Sequence, residues 1–410
     1  MEKLYLKTRS HSLDTPEGPL AEHLGAFEGL LTDQGYAQES IRRHLLLVAD
    51  FSVWLKCKKM SIGEVTHETA QRYLHYREHH RCHRNGAKYA LRRFVQLLQE
   101  NGFVARDAPV AQTPVEKLVS KYALYLQQER GLAATTIRKY RWCAYLFLTK
   151  QFGDGATRLS DLHAQEIIDF VRHEAAQRPT RAQAMTMVLR SFLQYARYRG
   201  SIKLDLAAVI PWVAHWSMAS IPKAISPEHA RRALASCDRR RPIGRRDYAI
   251  LLLLARLGLR GGEVVSLTLD DIDWETGTLN VHGKGGLESL LPLLAPVGEA
   301  IADYLKNGRA DSESRSVFLR IKAPIRGFKT EKAVSNVVRY ALERAGIESP
   351  RKGAHQFRHA LATQMLRQGS SLAEIGEILR HKNPDSTRIY AKVDLDSLRA
   401  LAPPWPSTRP

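Results

Sequence analysis

The sequence predicts a mainly α protein: two tandem helical N-terminal domains, then a third domain that is mostly helical with a small antiparallel β-sheet. Three observations lead to this expectation. The N-terminal half repeats itself at a spacing of 96 to 98 residues. Its segments show the 3.6-residue apolar period of amphipathic helices, and a single hairpin pattern interrupts an otherwise helical third part.

The repeat defines the first two domains. "GYAQESIRRHLLLVADFSVWL" (Gly35 to Leu55) aligns with "GLAATTIRKYRWCAYLFLTKQ" (Gly131 to Gln151) at an offset of 96. "IGEVTHETAQRYLHYR" pairs with "LSDLHAQEIIDFVRHE" at 97, and "LRRFVQLLQENG" with "LRSFLQYARYRG" at 98. The offset drifts only at polar connections, as a duplicated helical domain with small loop insertions requires. The copies are assigned to residues 1–110 and 111–205, and each reads as four helices. In the first, Ile41, Leu45, Val48, Phe51 and Trp54 line one apolar stripe; in the second, Ile137, Tyr140, Tyr145 and Leu148 do so.

Beyond the repeats the texture changes. Pro211 and Pro222 punctuate a stretch without clean periodicity, which predicts a linker over 206–225. Ser226 reads as an N-cap with Pro227 at the first helical position, opening a third domain over 226–395. Within it, "TGTLNV" and "LESLLPL" flank "HGKGG" as a β-hairpin. The tail 396–410 ends in "APPWPSTRP" and is expected to lack regular structure.

Charge narrows the choice of partner. The 410-residue chain carries 62 Lys+Arg against 42 Asp+Glu, a formal net charge of +20. Such a field favours nucleic acid first and an anionic membrane surface second. The longest apolar run, "AILLLLA" from Ala249 to Ala255, is far short of the ~20 residues that span a bilayer, and the N-terminus has no apolar signal region. Cys57, Cys82, Cys143 and Cys237 are scattered, as free thiols in a reducing compartment would be. The expectation is a soluble, cytoplasmic, nucleoid-associated protein whose partner is double-stranded DNA, with no membrane role. Arg42 and Arg43 in the first repeat, and Arg138 and Lys139 in the second, place cations at the same helix start and are candidate DNA contacts. Arg245 and Arg246 join them from the third domain. A merely solvated charged face is the alternative reading.

Metal chemistry is not expected. "HYREHHRCHR" gathers His75, His79, His80, Cys82 and His83, but the matching stretch of the second repeat keeps only His173, which favours a solvated polar connection. "HQFRH" has the His-x-x-x-His spacing of zinc helices. Gln356 stands where those proteases need a glutamate, however, and a guanidinium between the ligands would repel a cation.

Four places in the third domain concentrate reactive groups. "ARLGLRGGEVVSLTLDDIDW" puts Arg260 after a glycine helix stop, with Glu263 one turn on. The hairpin tip presents Lys284. "HQFRH" brings His355, Arg358 and His359 to a helix N-terminus, where the amide dipole is already positive and an anion is the natural ligand. "LRHKNPDSTRIYAKV" supplies His381 and Tyr390. Singly, these are a surface ion pair, a solvated lysine or a packed tyrosine.

In this order, Arg260, Lys284, "HQFR", His381 and Tyr390 resemble the pattern of the tyrosine recombinases, also called phage integrases: arginine, hairpin lysine, His-x-x-Arg, histidine or tryptophan, then tyrosine about nine residues later. The resemblance covers roughly residues 115 to 400. It implies helical, SAM-like DNA-binding domains ahead of a catalytic domain. It also implies site-specific recombination of the integrase or transposase type through a 3′-phosphotyrosine, without metal, ATP or other cofactor. Tyr390 would be the nucleophile, Arg260 and Arg358 would hold the phosphate, His355 would accept a proton, His381 would hydrogen-bond the phosphate, and Lys284 would protonate the departing 5′ oxygen. Four protomers would synapse two sites through a Holliday junction, with other recombinases of the same element as further candidate partners. The segment after Tyr390, with Leu395, Leu398 and Leu401, would dock on a neighbouring subunit or pack in cis. Two departures stand out. Leu287 and Ser289 occupy hairpin positions where the family often has cations, and there are two helical domains rather than one. Type IB topoisomerase action and an accessory DNA-binding role are the rival readings.

Overall fold

The structure, a computed structural model, describes residues 16–80, 86–106, 112–153, 155–177, 179–212, 224–283, 286–349 and 352–393. Its described residues fall into two compact units, one within Met1–Asp107 and Ile221–Pro410, the other within Ala108–Ser220.

The first helical segment consists of α1 (Leu24–Asp33), α2 (Gln38–Cys57), α3 (His67–His80) and α4 (Ala87–Glu100). All five expected stripe residues of α2 are buried, among Phe27, Leu31, Tyr73 and Phe94. The buried carboxylate of Asp50 is satisfied by the Tyr73 hydroxyl at 3.1 Å.

The second segment repeats the plan with α5 (Pro114–Gln128), α6 (Ala134–Phe152), α7 (Ala164–Gln177) and α8 (Pro179–Tyr198). A capping box starts α5: Thr113 Oγ1 accepts from the Glu116 amide at 3.2 Å, and Glu116 accepts from the Thr113 amide at 2.9 Å. The short 3₁₀ turns Ile62–Glu64 and Leu159–Asp161 recur 97 residues apart, as do the starts of α3 and α7. The expected stripe of α6 needs correction. Tyr145 is 41% exposed, whereas Cys143, Ala144, Phe147 and Leu148 are buried. Position 145 lies about 80° round the helix from Ile137, off the core face. The predicted linker also begins too early. Leu206, Ala207 and Ile210 are buried in the second segment's core, in turns whose irregular packing hides any period. Residues 213–223 lie outside the described residues.

In the third segment, Ser226 Oγ accepts from the His229 amide at 3.0 Å and Pro227 begins α9 (Pro227–Ala235). The run Ala249–Leu254 lies in α10 (Pro242–Arg256) and is buried throughout, so this helix is the axis of the core. After α11 (Gly261–Ser266) come β1 (Ile272–Asp273), β2 (Thr278–His282) and β3 (Glu288–Pro292), an antiparallel sheet in the order β1-β2-β3. β2 and β3 are the expected hairpin, paired Leu279 to Leu291 and His282 to Glu288. Leu279 and Val281 point into the core. The chain continues through α12 (Ala295–Asn307), α13 (Lys332–Arg344), α14 (His355–Arg367), α15 (Leu372–Ile378) and α16 (Asp385–Arg388) to a 3₁₀ turn at Ile389–Val393. Among the described residues no helix is long and apolar enough to cross a membrane.

Candidate active site

Arg260 is placed by a helix break. α10 ends at Arg256, Gly258 adopts a left-handed φ of +57°, and Arg260 becomes the N-cap of α11. The first turn of α11 returns a carboxylate to it. Glu263 Oε2 accepts from the Arg260 amide at 2.9 Å, and Oε1 accepts from its Nη1 at 2.6 Å. Arg380 donates to the same carboxylate at 3.0 Å, and its carbonyl accepts from Arg260 Nη2 at 3.1 Å. Burial alone would raise the Glu263 pKa, but the hydrogen bonds from Arg260 outweigh it and hold the group below the usual carboxylate value. Glu263 is therefore an anionic anchor for two guanidiniums.

Arg358 comes from the first turn of α14 and is 3% exposed. Its two terminal nitrogens donate to the carbonyls of Gly258 and Leu379. Burial first, and then the charge of Arg260, pull its pKa down to about 10, so it stays cationic at neutral pH. His355 opens the same helix. Its pKa is lowered by its surroundings and by Arg358.

His381 follows α15. Its amide donates to the Gly376 carbonyl at 2.9 Å, and its Nδ1 lies 2.7 Å from Thr387 Oγ1. With Nδ1 engaged, Nε2 is the ring nitrogen available to a ligand. Burial, then Arg358 and Arg260, lower its pKa to about 4, which keeps the ring neutral at pH 7.

Tyr390 sits in the 3₁₀ turn at 1% exposure. Its ring lies parallel to that of His381, with centroids 6.4 Å apart and planes 5° apart. Its hydroxyl lies 2.8 Å from Nδ1 of His359. Burial raises the phenol to about 12, with Arg358 and Arg260 opposing.

The structure thus gathers Arg260, His355, Arg358, His381 and Tyr390 at one place, while Lys284 lies outside the described residues. Leu395, Leu398 and Leu401 also lie outside them. The sequence places His359 only among the groups at a helix N-terminus and Glu263 only one turn after Arg260; the contact of His359 with Tyr390 and the second use of Glu263 by Arg380 appear only in the fold. His359 stood in the "HQFRH" motif, but only the fold brings Tyr390 to it.

The DNA-contact candidates separate into two groups. Arg42, Arg43, Arg138 and Lys139 are exposed, with Arg43 paired to Glu39 at 2.9 Å. Arg245 is tied to Asp303 at 3.2 Å and to the Asn307 carbonyl at 3.0 Å. Arg246 is buried, bound to Asp247 at 2.7 Å and to the Leu319 carbonyl at 3.0 Å. Arg246 therefore braces the core instead of facing a ligand, a correction that follows from the inward position 246 takes on α10. His75 and His79 lie within α3, not in a polar connection, and His79 Nδ1 contacts the His75 carbonyl at 2.8 Å. Among the described residues no group of three or more His, Cys, Asp or Glu side chains could hold a metal.

Comparisons with known proteins show the family and the fold of the chain. Residues 223–396 match the model of the phage integrase family. The chain is 49% identical over 394 residues to a Sinorhizobium fredii protein provisionally named integrase/recombinase y4rA, covering 95% of this chain and 96% of that one. It is 28% identical to the tyrosine recombinase XerD of Listeria monocytogenes, covering 67% of this chain and 94% of XerD. In fold it is similar to the XerH site-specific recombinase bound to palindromic difH substrate (TM-score 0.55, 18% identity, 69% of this chain and 83% of that one). It is also similar to a lambda integrase dimer bound to a COC′ core site (TM-score 0.54, 15% identity, 78% and 90%). A duplicated helical front end, a guanidinium pair anchored on Glu263 and a buried tyrosine between two histidines are thus found on a chain that belongs to the phage integrase family, the tyrosine recombinases, enzymes of site-specific DNA strand exchange.

Proposed function

We propose that this recombinase cuts a DNA strand with Tyr390 and rejoins it through a 3′-phosphotyrosine, with neither metal nor ATP. The observation that carries the reading is the placement of the Tyr390 hydroxyl on His359 while Arg358 and Arg260 act electrostatically on the same phenol. Attack on phosphorus generates a pentacoordinate phosphorane with added negative charge. Two fixed guanidiniums meet that charge by preorganised hydrogen bonding, usually the largest catalytic contribution. A tyrosine with a pKa near 12 is a poor nucleophile on its own, so its proton needs an acceptor.

His359 takes that role in place of His355. The phenolic proton passes to Nδ1 as the oxygen bonds to phosphorus, the P–O5′ bond breaks, and the 5′ oxygen is protonated by Lys284. The phosphotyrosine conserves the bond energy, so a second 5′ hydroxyl can reverse the step without an energy source. Neutral His381, steadied by Thr387, donates from Nε2 to a non-bridging oxygen. His355 lines the phosphate side at the α14 N-terminus. Because Tyr390 is 1% exposed, the turn Ile389–Val393 must shift outward for a phosphate to reach it.

Duplex DNA is the substrate in this proposal, gripped by the two helical domains (1–110 and 111–205) through exposed cations such as Arg42, Arg138 and Lys139, and protomers assemble on it as a tetramer. The net charge of +20 supports the DNA reading. The test is a nicked suicide duplex from the flanks of the gene, with EDTA present. A covalent adduct that survives boiling in detergent and disappears in Tyr390→Phe is the expected result. Salt-sensitive binding with no adduct on either this or a generic nicked duplex would favour the accessory-protein reading.

A further inference from the structure

Among the described residues, the first helical domain touches the catalytic domain where the chain after α12 meets the end of α1. The segment after β3 and α12 forms a prong: the Arg320 amide donates to the Arg326 carbonyl at 2.9 Å, and Leu319 and Gly327 form an antiparallel bridge. The prong presents Ile325 at its tip. The Ile325 amide donates to the carbonyl of Gln34 at 2.9 Å. Gln34 is the C-cap of α1, where carbonyls lack helical partners, so the prong supplies a donor that α1 itself cannot.

Gly35 follows, with φ +71° and the Ile325 side chain lying directly over it. A Cβ at this position would stand 2.6 Å from Ile325 Cγ1, so both the backbone conformation and the close approach require glycine. Beside it, Tyr36 hydrogen-bonds Tyr89, and the charges of Arg93 and Arg320 both act on Tyr36. The duplicate offers an internal control. Gly131, the counterpart of Gly35, has a similar φ of +57° but nothing within 4 Å of its Cβ position. The close contact is therefore a property of the first copy and not of the repeated fold.

We infer that the first helical domain is carried by the catalytic domain as a fixed cis attachment, seated on the 319–327 prong through Gln34, Gly35 and Ile325, and is not a free arm that seeks a second DNA site or another protein. The inference goes beyond strand transfer and stands whatever reaction the site performs. Both parts belong to one chain, so their association is intramolecular and a smaller contact suffices than between separate proteins.

Hydrogen exchange on the intact chain, followed by mass spectrometry, tests this. Ile325→Asp is expected to speed exchange on the order of tenfold across residues 31–38, in the other domain, and Gly35→Val to do the same across 319–327. Buried α10 should keep its protection in both. Exchange that changes less than twofold across the domain boundary, with each substitution felt only in its own segment, would overturn the inference. If either variant loses α10 protection, Ile325→Ala decides by the same cross-domain readout, since it removes the contact without adding charge.

Discussion

His359 Nδ1 and the Tyr390 hydroxyl lie 2.8 Å apart, whereas His355, the histidine that sequence reasoning favoured as base, stands at the helix entrance. The two histidines should therefore respond differently to substitution. His359→Gln can still hydrogen-bond the phenol but cannot take its proton. Single-turnover cleavage should fall about 10²- to 10⁴-fold with DNA affinity unchanged. A 5′-bridging phosphorothiolate should not rescue it, because the defect is in the nucleophile and not in the leaving group. Lys284→Ala should be rescued by that substrate. A His359→Gln rate within threefold of wild type would return the proton to His355.

Tyr390→Phe should abolish the adduct while retaining the packed ring. Loss of one buried hydrogen bond costs about 1 kcal/mol, so the thermal midpoint should move only by a few degrees. Binding curves in a salt titration should superimpose on wild type.

Glu263→Gln should damage the site more than its distance from the phosphate suggests. It replaces the charge that Arg260 and Arg380 share with a neutral amide. Removing one partner from a buried charge network costs about 3–5 kcal/mol. Reduced thermal stability together with slower cleavage is expected. A variant with wild-type melting would show that the two arginines hold each other's position without the carboxylate.

Stability should depend on pH through His381 and His355, whose pKa values are lower in the folded protein than the usual 6.5. Between about 4 and 6.5 the unfolded chain binds protons that folded His381 refuses, so stability rises with pH across that window and is lost as pH falls through it. The melting temperature should drop from pH 7 to pH 5, and His381→Gln should flatten part of that slope. An unchanged slope would mean that the imidazole binds protons equally in the folded and the unfolded chain.

Gly258→Ala tests the backbone break before Arg260. A Cβ there would lie 2.7 Å from Leu379 Cδ2 and 3.0 Å from Leu361 Cδ2, in a conformation that costs an L-residue about 1–2 kcal/mol. Calorimetry should show the stability loss. Cleavage should fall further than binding, because the Gly258 carbonyl is one of the acceptors that hold Arg358.

Much of this molecule was legible from sequence because period and order survive translation into structure. The duplication, the helix count per copy, the Ser226 cap and the hairpin follow from local patterns, and the five gathered site residues from their ordered resemblance to a known family. What escaped depended on tertiary contacts. Tyr145 looks like a core aromatic until neighbours decide which face of α6 is buried. Arg246 looks like a DNA contact until Asp247 and Leu319 enclose it. Residues 206 to 210 look like linker because their burial has no helical rhythm. The partnership of His359 with Tyr390 spans 31 residues, and no spacing rule encodes it.

The turn after α15 fixes several groups at once. The Leu379 carbonyl receives Arg358, the Arg380 carbonyl receives Arg260, and the His381 amide ties that imidazole to Gly376. Two successive peptide units, spanning residues 379 to 381, thus set the relative positions of both guanidiniums and one imidazole. The template for the phosphate is held in main chain, so an insertion or deletion of one residue there puts all three groups out of register together.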